Sequence, residues 1–551
     1  MKKIIDFYTK NKTIIFEIIA IILIALFSFS LAPKRLQNDT FYTIKLGNLI
    51  KENGIDMKDH FSWHEDLPYT YPHWLYDVIM SCIYNLGEWK GIYISVCILS
   101  IILGIIIYEV NRKLNKNQVI SLVITLLSMY LLKDYIAARA QLVTFIIYVI
   151  VIFLMEKFIH TSNKKIYYGT GIVLCSILIA NLHVAVWPFL FVISLPYIAE
   201  YIIAILADTI IYRKLKIFQV KWDIKHIKNN KEKVKNLEIE LEEIYKSVER
   251  RKTYREQEEP YKIVIEKNKN VKWFIVLMLI CALTGFLTPL KTTPYTYLYN
   301  TMKGNTMYNI NEHLPMTLAK DIPILCSIVL TISILVFTKT KIRISDLFML
   351  GGLCYLMLST KRQASMFVLI GSIILNRLIS NAIEIYGYGK IEEFSKKLIN
   401  IFTIALITAT TCYYSYKFID KKKSNTYVSE SAFPVKAADW ILENLDLNNI
   451  KLFNEYNYGS YLLYRGIPVF IDSRADLYSP EFNQKDDDIF MNFINTSSIG
   501  KYYGTTFKDY DITHVILYKN SKISMLIDNA DQEKYNKIYS DEDFVIYEIL
   551  K

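Results

Sequence analysis

Nothing in these 551 residues spaces cysteines or histidines as a metal module does, for there is no CxxC and no HExxH. The seven cysteines (Cys82, Cys97, Cys175, Cys281, Cys326, Cys354 and Cys412) all lie in apolar stretches, and none is in the polar C-terminal region. That excludes a disulfide framework and a zinc module. No glycine-rich Rossmann fingerprint is visible, so the chain offers no nucleotide-sugar loop. The formal charge is +11, yet no compact basic domain with interleaved aromatics appears, which excludes a nucleic-acid binder.

What is present is apolar sequence. Hydrophobic residues make up 52% of the chain, above the range of about 45–50% usual for soluble proteins. They are clustered into runs longer than about 18 residues with few charges, the length that crosses a hydrocarbon core of about 30 Å. The expected fold is therefore a polytopic α-helical membrane protein. Eleven spans are expected near 13–32, 91–110, 118–132, 140–157, 166–181, 188–211, 272–290, 321–338, 346–360, 363–379 and 399–416. The first follows a lysine-rich start, as a secretory signal would, but with ten more behind it it reads as a retained anchor.

The lysines and arginines set the orientation. The start MKKIIDFYTKNK, the connectors NRKLNK and EKFIHTSNKK, the 212–271 insert, TKTKIR and the stretch from Arg377 to Lys397 are basic and share one side. That side is cytoplasmic by the positive-inside bias. The outer side then receives the first loop with its following helix (33–90), the NLH turn at 181–183, a loop near 291–320, and everything after about 417. A transmembrane module is expected over 1–416 and an extracytoplasmic domain over 417–551. In the insert, Leu237, Leu241, Ile244 and Val248 recur at helical spacing among Glu and Lys. This reads as a solvated helical hairpin or short coiled coil, with a lipid-surface or partner contact as the alternative. In PHWLYDVIMSCIYNLGEW, Trp74, Leu75, Val78, Ile79, Cys82, Ile83 and Leu86 share a helical face. The segment is either a helix lying along the bilayer or a short tilted span, and the first keeps the charge pattern intact.

Lys133, Arg139, Lys291, Lys303, Lys361 and Arg362 stand at outer ends of spans, where cations are disfavoured. Each alone reads as a snorkelling anchor. Together they suit a lipid phosphate, and Arg139 in AARAQ and Arg362 in TKRQA are best placed, because a planar fork matches phosphate. Acids and imidazoles also collect outside: Asp39, Asp59, His60, His64 and His73 in the first loop, His183 in the NLH turn, Glu312 and His313 in NEHLP. A divalent metal such as Mg or Mn is one option for such groups, although no tight ligand spacing fixes it. Asp39, in NDTFYTIKLG, has two readings. It opens a helix as a capping acid, or it is a base near the headgroups, walled by Phe41, Tyr42, Trp63 and Trp74 and placed to take a proton from a hydroxyl. The same aromatics suit a sugar ring.

Taken in order, NDTFYTIKLGNLIKENG, DHFSW, YPHWL, ARAQLVTF, ANLH, LTP, NEHLP and TKRQASMF, followed by FNEYNYGSYLLYRGIPVFIDSRADLY, resemble the type C (GT-C fold) integral-membrane glycosyltransferases. The likeness is to a bacterial branch with a C-terminal extracytoplasmic domain and covers nearly everything except 212–271. It implies a polyprenyl-phosphate-linked sugar donor, a glycan, polymer or protein acceptor, and Asp39 as catalytic base. It further implies Asp59, His73, His183, Glu312 and Arg362 as pocket residues. Phe41-Tyr42 and Pro72-His73 depart from the family, which often has Trp-Trp or Trp-His after the first acid and His-Glu-Trp-Leu at the second place.

After Tyr414 the chain becomes soluble in character, and a small α/β domain is expected. KLFNEY, SYLLYR, IPVFID and ITHVILY read as strands, KIYSDEDFVIYEIL as a closing hairpin, and FPVKAADWILENL as a helix. Asn454, Tyr456, Gly459, Asp472, Arg474 and Asp476 fall at strand ends, where loops carry binding groups. They bind acceptor or glycan, or Asp472 and Arg474 simply pair across a turn. Three functional classes remain: a sugar transferase working with membrane lipids, a lipid-linked glycan transporter or flippase, and a non-catalytic cell-envelope assembly protein. The transporter requires paired charges between spans and internal repeats; the assembly protein tolerates Asp39→Asn.

Overall fold

The computed structural model describes all residues except 1, 162, 208–209, 228–230, 247–261, 388, 424 and 551. Apolar runs become helices where no water can satisfy the backbone. The first nine are α1 (Lys2–Leu31), α2 (Asn38–Asn53), α3 (Trp74–Asn115), α4 (Val119–Leu131), α5 (Ala140–His160), α6 (Lys165–Leu182), α7 (Phe189–Ala207), α8 (Ile210–His226) and α9 (Lys231–Lys246). Then come α10 (Val271–Leu283), α11 (Thr293–Lys303), α12 (Ile322–Phe337), α13 (Ile344–Ser359), α14 (Ala364–Ile385), α15 (Ile391–Leu398) and α16 (Ile401–Lys422). Among the described residues six helices are long and apolar enough to cross a membrane, and α15 with α16 forms a pair bent by 73°. Four shorter apolar helices, α4, α10, α12 and α13, stand at the remaining expected spans. The protein is a membrane protein whose core is a helical bundle.

Helix α3 joins the expected surface helix to the second span. It breaks at Glu88, where φ is 49° and ψ is −146°. Before the break, Tyr76, Asp77, Met80 and Ser81 are buried while Ile79, Cys82 and Leu86 are exposed. The buried face lies on α2 at close range, since a Cβ on Gly47 would come within 2.0 Å of the Asp77 carbonyl oxygen. Only glycine fits there.

The basic connectors converge on one end of the bundle. Lys12 Nζ donates to the Lys396 carbonyl at 2.9 Å, and Arg112 pairs with Glu17 at 2.5 Å. At the same end a buried ionic cluster ties α5, α13 and α14 together. Arg343 and Arg377 each reach Glu156 (2.7 and 3.3 Å) and Asp346 (2.9 and 2.6 Å). Two carboxylates face two guanidiniums, which offsets the cost of burying charge. Asp346 lies in the first turn of α13. The chain leaving the insert is pinned here too: Lys262 Nζ donates to carbonyls at the end of α12, and β1 (Ile263–Val264) pairs in parallel with β2 (Ile342–Arg343). In the insert α8 and α9 pack together, with Lys216 3.7 Å from Glu240. Leu237, Leu241 and Ile244 are half-buried, and Val248 lies outside the described residues.

The C-terminal region is built on a four-stranded sheet of β3 (Leu452–Phe453), β4 (His514–Tyr518), β5 (Tyr535–Ser540) and β6 (Phe544–Ile549), in the order β3-β4-β6-β5. Only β3 and β4 are parallel. Helix α17 (Val435–Asn444) forms as expected and buries Ala437, Ala438 and Ile441. SYLLYR is not a strand but belongs to α18 (Tyr456–Tyr464), where Tyr458, Tyr461 and Leu462 turn inward at helical spacing. IPVFID stays out of the sheet as well. Its backbone bonds go to the Asn454 side chain (Phe470 N–H to Oδ1, 2.9 Å; Nδ2 to the Ile471 carbonyl, 2.7 Å) and to the first loop through Trp63 and Phe61.

Candidate functional site

Asp39 lies in the first turn of α2, where the helix dipole favours a carboxylate. Its side chain makes no capping hydrogen bond and faces Arg139 instead. Arg139 precedes the first turn of α5 in extended conformation, which throws its guanidinium sideways off the helix end. Arg139 Nε stands 2.8 Å from Asp39 Oδ2, and Nη1 donates to Glu312 Oε1 at 2.7 Å. Burial opposes the charge on Arg139, but Asp39 and Glu312 more than offset it and raise its pKa. Burial likewise acts to raise Glu312, and Arg139 outweighs it, holding Glu312 below the usual carboxylate range. The Glu312 loop is strapped along the segment before α14. Arg362 N–H donates to the Glu312 carbonyl (3.1 Å), Lys361 N–H to Leu314 (3.0 Å) and Met316 N–H to Leu358 (3.2 Å).

A cavity of about 220 Å³ opens beside this triad, lined by Gln37, Arg139, Gln141, Glu312, Lys361 and Arg362 among others. Lys361 Nζ reaches only the Asn311 amide oxygen, at 3.4 Å. Among the described residues no carboxylate pairs with Arg362. The cavity therefore holds one committed guanidinium and two cations free to meet an anion.

Two imidazoles pair near Arg139 and Arg362, His183 buried and His73 half-buried. The rings of His73 and His183 meet edge to face, 4.7 Å apart. Burial, with Arg362 and Arg139 nearby, lowers the His73 pKa to about 3, and burial, with His73 and Arg362, also pushes His183 well down. Both rings are neutral. The Thr144 hydroxyl, 2.9 Å from the Ala140 carbonyl, also bonds His183 Nδ1 at 3.1 Å. His183 Nε2 is buried without a partner among the described residues. His313 lies in the Glu312 loop, its pKa lowered by burial to about 4.

Other expected residues go elsewhere. Phe41 is buried among Trp89, Phe433 and Tyr461; Trp63 donates to the Leu452 carbonyl and Trp74 to Asn181. These rings anchor neighbouring elements and do not wall Asp39. Only Tyr42 turns to the site, its hydroxyl 3.4 Å from His73 Nδ1. Asp59 is fully buried in the seam between the first loop and the C-terminal region. There Arg474 bonds Asp59 at 2.6 Å and Asp472 at 2.7 Å, sandwiched over Phe61 and Tyr69. Asp472 and Arg474 are thus closed to an acceptor, and Asn454 is taken up by backbone bonds. Tyr456 is half-buried with its hydroxyl on the Ser473 carbonyl and its own carbonyl on Asn38. Lys133 and Lys303 lie over Tyr130 and Tyr299 and do not join the cavity.

A divalent ion does not fit these residues. Among the described residues no three His, Cys, Asp or Glu side chains gather, and Arg139 occupies the place between Asp39 and Glu312 that a metal would need. Tyr297 was not singled out from the sequence. Its hydroxyl donates to Asp476, which Thr306 also reaches at 3.5 Å, and burial raises the Asp476 pKa. Tyr297 sits among Tyr295 and Tyr299 in α11, and no local signal separates the three.

The helical membrane bundle with its C-terminal α/β region has the fold of the type C integral-membrane glycosyltransferases. The apo oligosaccharyltransferase of Archaeoglobus fulgidus matches with a TM-score of 0.55 at 11% identity, over 91% of this chain and 69% of that one. The same enzyme tethered to an acceptor peptide gives 0.52 at 11% identity, over 97% and 74%. Apo ArnT from Cupriavidus metallidurans gives 0.51 at 9% identity, over 98% of each chain. No family model and no curated protein matches the sequence.

Proposed function

We propose that the protein transfers a sugar from a polyprenyl-phosphate-linked donor to a hydroxyl acceptor at the outer membrane face, with Asp39 as catalytic base. The observation that carries this is the juxtaposition of a carboxylate, Asp39, held by Arg139, with a cavity whose Lys361 and Arg362 have no carboxylate partner among the described residues. In the reaction the acceptor O–H gives its proton to Asp39. Its oxygen bonds to the anomeric carbon as the bond from that carbon to the phosphate oxygen breaks, with inversion. The donor phosphodiester carries one negative charge and the departing polyprenyl phosphate gains another. Arg362 and Lys361 meet that growing charge, so their attraction is stronger in the transition state than in the bound donor. Neutral His73 and His183 add no competing charge.

The likeness in fold to an oligosaccharyltransferase and to ArnT supports the class of chemistry, as do the apolar helices that give a lipid donor its route. The test is to give purified protein and Asp39→Asn a set of polyprenyl-phosphate sugars and follow donor loss. Consumption by the native protein and its absence in the variant support the reading. Equal turnover by both, or none by either with any donor, overturns it and favours an assembly role.

A further inference from the structure

Helix α11 stands between the apolar α10 and the loop that carries Glu312, and its side chains divide into three sectors. Thr293, Pro294 and Tyr297 are buried. Tyr297 is the fastening, with its hydroxyl on Asp476 and its ring edge-on to Phe482 at 5.1 Å. A second sector holds Tyr295, Leu298, Tyr299 and Met302, exposed by 39%, 39%, 59% and 66%. Their spacing of i, i+3, i+4, i+7 makes them one stripe. Thr296, Asn300 and Lys303 fill the third, polar sector between the other two.

A soluble surface does not leave such a stripe open to water. Nor is the stripe isolated: the Phe286 ring stands 4.8 Å from that of Tyr295, and Phe286, Leu287, Leu283 and Leu279 continue the exposed apolar surface down α10. One face to protein, one to hydrocarbon and one to water, with tyrosines at the boundary, is the arrangement of a helix in the membrane interface. We propose that α11 lies in the lipid interface at the cavity's end of the bundle, with Tyr295, Leu298, Tyr299 and Met302 sunk among lipid chains. Through Tyr297 and Asp476 it then sets the height of the C-terminal region above the bilayer. Through the chain that follows, it sets the level at which Glu312 meets a lipid-borne headgroup. The inference goes beyond sugar transfer and stands without it.

The test places the photocrosslinker p-benzoylphenylalanine singly at Tyr299, Met302 and Thr296 of the full chain in nanodiscs of phosphatidylethanolamine and phosphatidylglycerol. All three positions are exposed, and the yield of monodisperse protein checks folding. After irradiation, mass spectrometry should find lipid adducts at positions 299 and 302 in several-fold excess over position 296. Equal lipid yields at the three positions, or adducts at 299 and 302 to a second copy of the chain in place of lipid, overturn the proposal.

Discussion

Arg139 holds together two carboxylates that would otherwise repel each other, and much of the site's behaviour follows from that one side chain. Replacing it by Gln leaves Asp39 and Glu312 without their shared cation. Loss of a charge-assisted contact of this kind costs about 1.5–3 kcal/mol, so donor consumption by Arg139→Gln should fall roughly 10- to 100-fold with the elution volume unchanged. Arg139→Lys keeps the charge but lacks the fork that spans both acids, and should fall in between. The histidines make a second test. Burial sets His64 to about 4 and His73 to about 3 in the folded protein, against about 6.5 when unfolded. As pH drops below about 6.5 the unfolded chain takes up protons that the native rings refuse, so each ring removes about 1.4 kcal/mol of stability per pH unit. The melting temperature should therefore decline from pH 7 to pH 5, and His64→Gln should flatten that decline.

Elements were more legible than their partners. Most apolar runs became helices close to their expected bounds, while the run expected at 91–110 lies inside the longer helix Trp74–Asn115 and that expected at 272–290 ends as an α-helix at Leu283. Whether a short Tyr- and Leu-rich run is strand or helix depends on what it packs against, and SYLLYR, with strong β-formers, became α18 under the sheet. Pairing was hidden for the same reason. Asp39, Arg139, Glu312, Lys361 and Arg362 could be singled out as polar groups at outer ends of spans. That Asp39 meets Arg139, while Asp59 turns away to Arg474, is decided by the approach of segments a hundred or more residues apart. The Asp59–Arg474–Asp472 seam carries its own prediction. Arg474→Met strands two carboxylates that are 1% and 0% exposed, a change that costs about 3–5 kcal/mol. The variant should melt at lower temperature than the native protein, and the loop from Ile55 to Tyr71 should become open to limited proteolysis.

Across the whole molecule the two ends of the bundle differ in kind. At one end basic connectors meet, cross-linked by Lys12, Arg112 and the Glu156–Asp346 cluster; at the other lies the cavity, with the Glu312 loop in its lining and α11 fastened to the C-terminal region through Tyr297 and Asp476. Lys and Arg resist transfer across a membrane, so the basic end should face the cytoplasm and the cavity should face outward. A lipid-linked donor would then arrive from the outer leaflet, at the level of Arg362. Cysteine placed at Asn448, exposed in the C-terminal region, and at Lys235, exposed on α9, reads this directly. In intact cells a membrane-impermeant maleimide should label Asn448→Cys at once and Lys235→Cys only after permeabilisation. Labelling of Lys235→Cys from outside would turn the molecule over, carry the cavity into the cytoplasm, and leave Asp39 facing the wrong leaflet for the proposed chemistry.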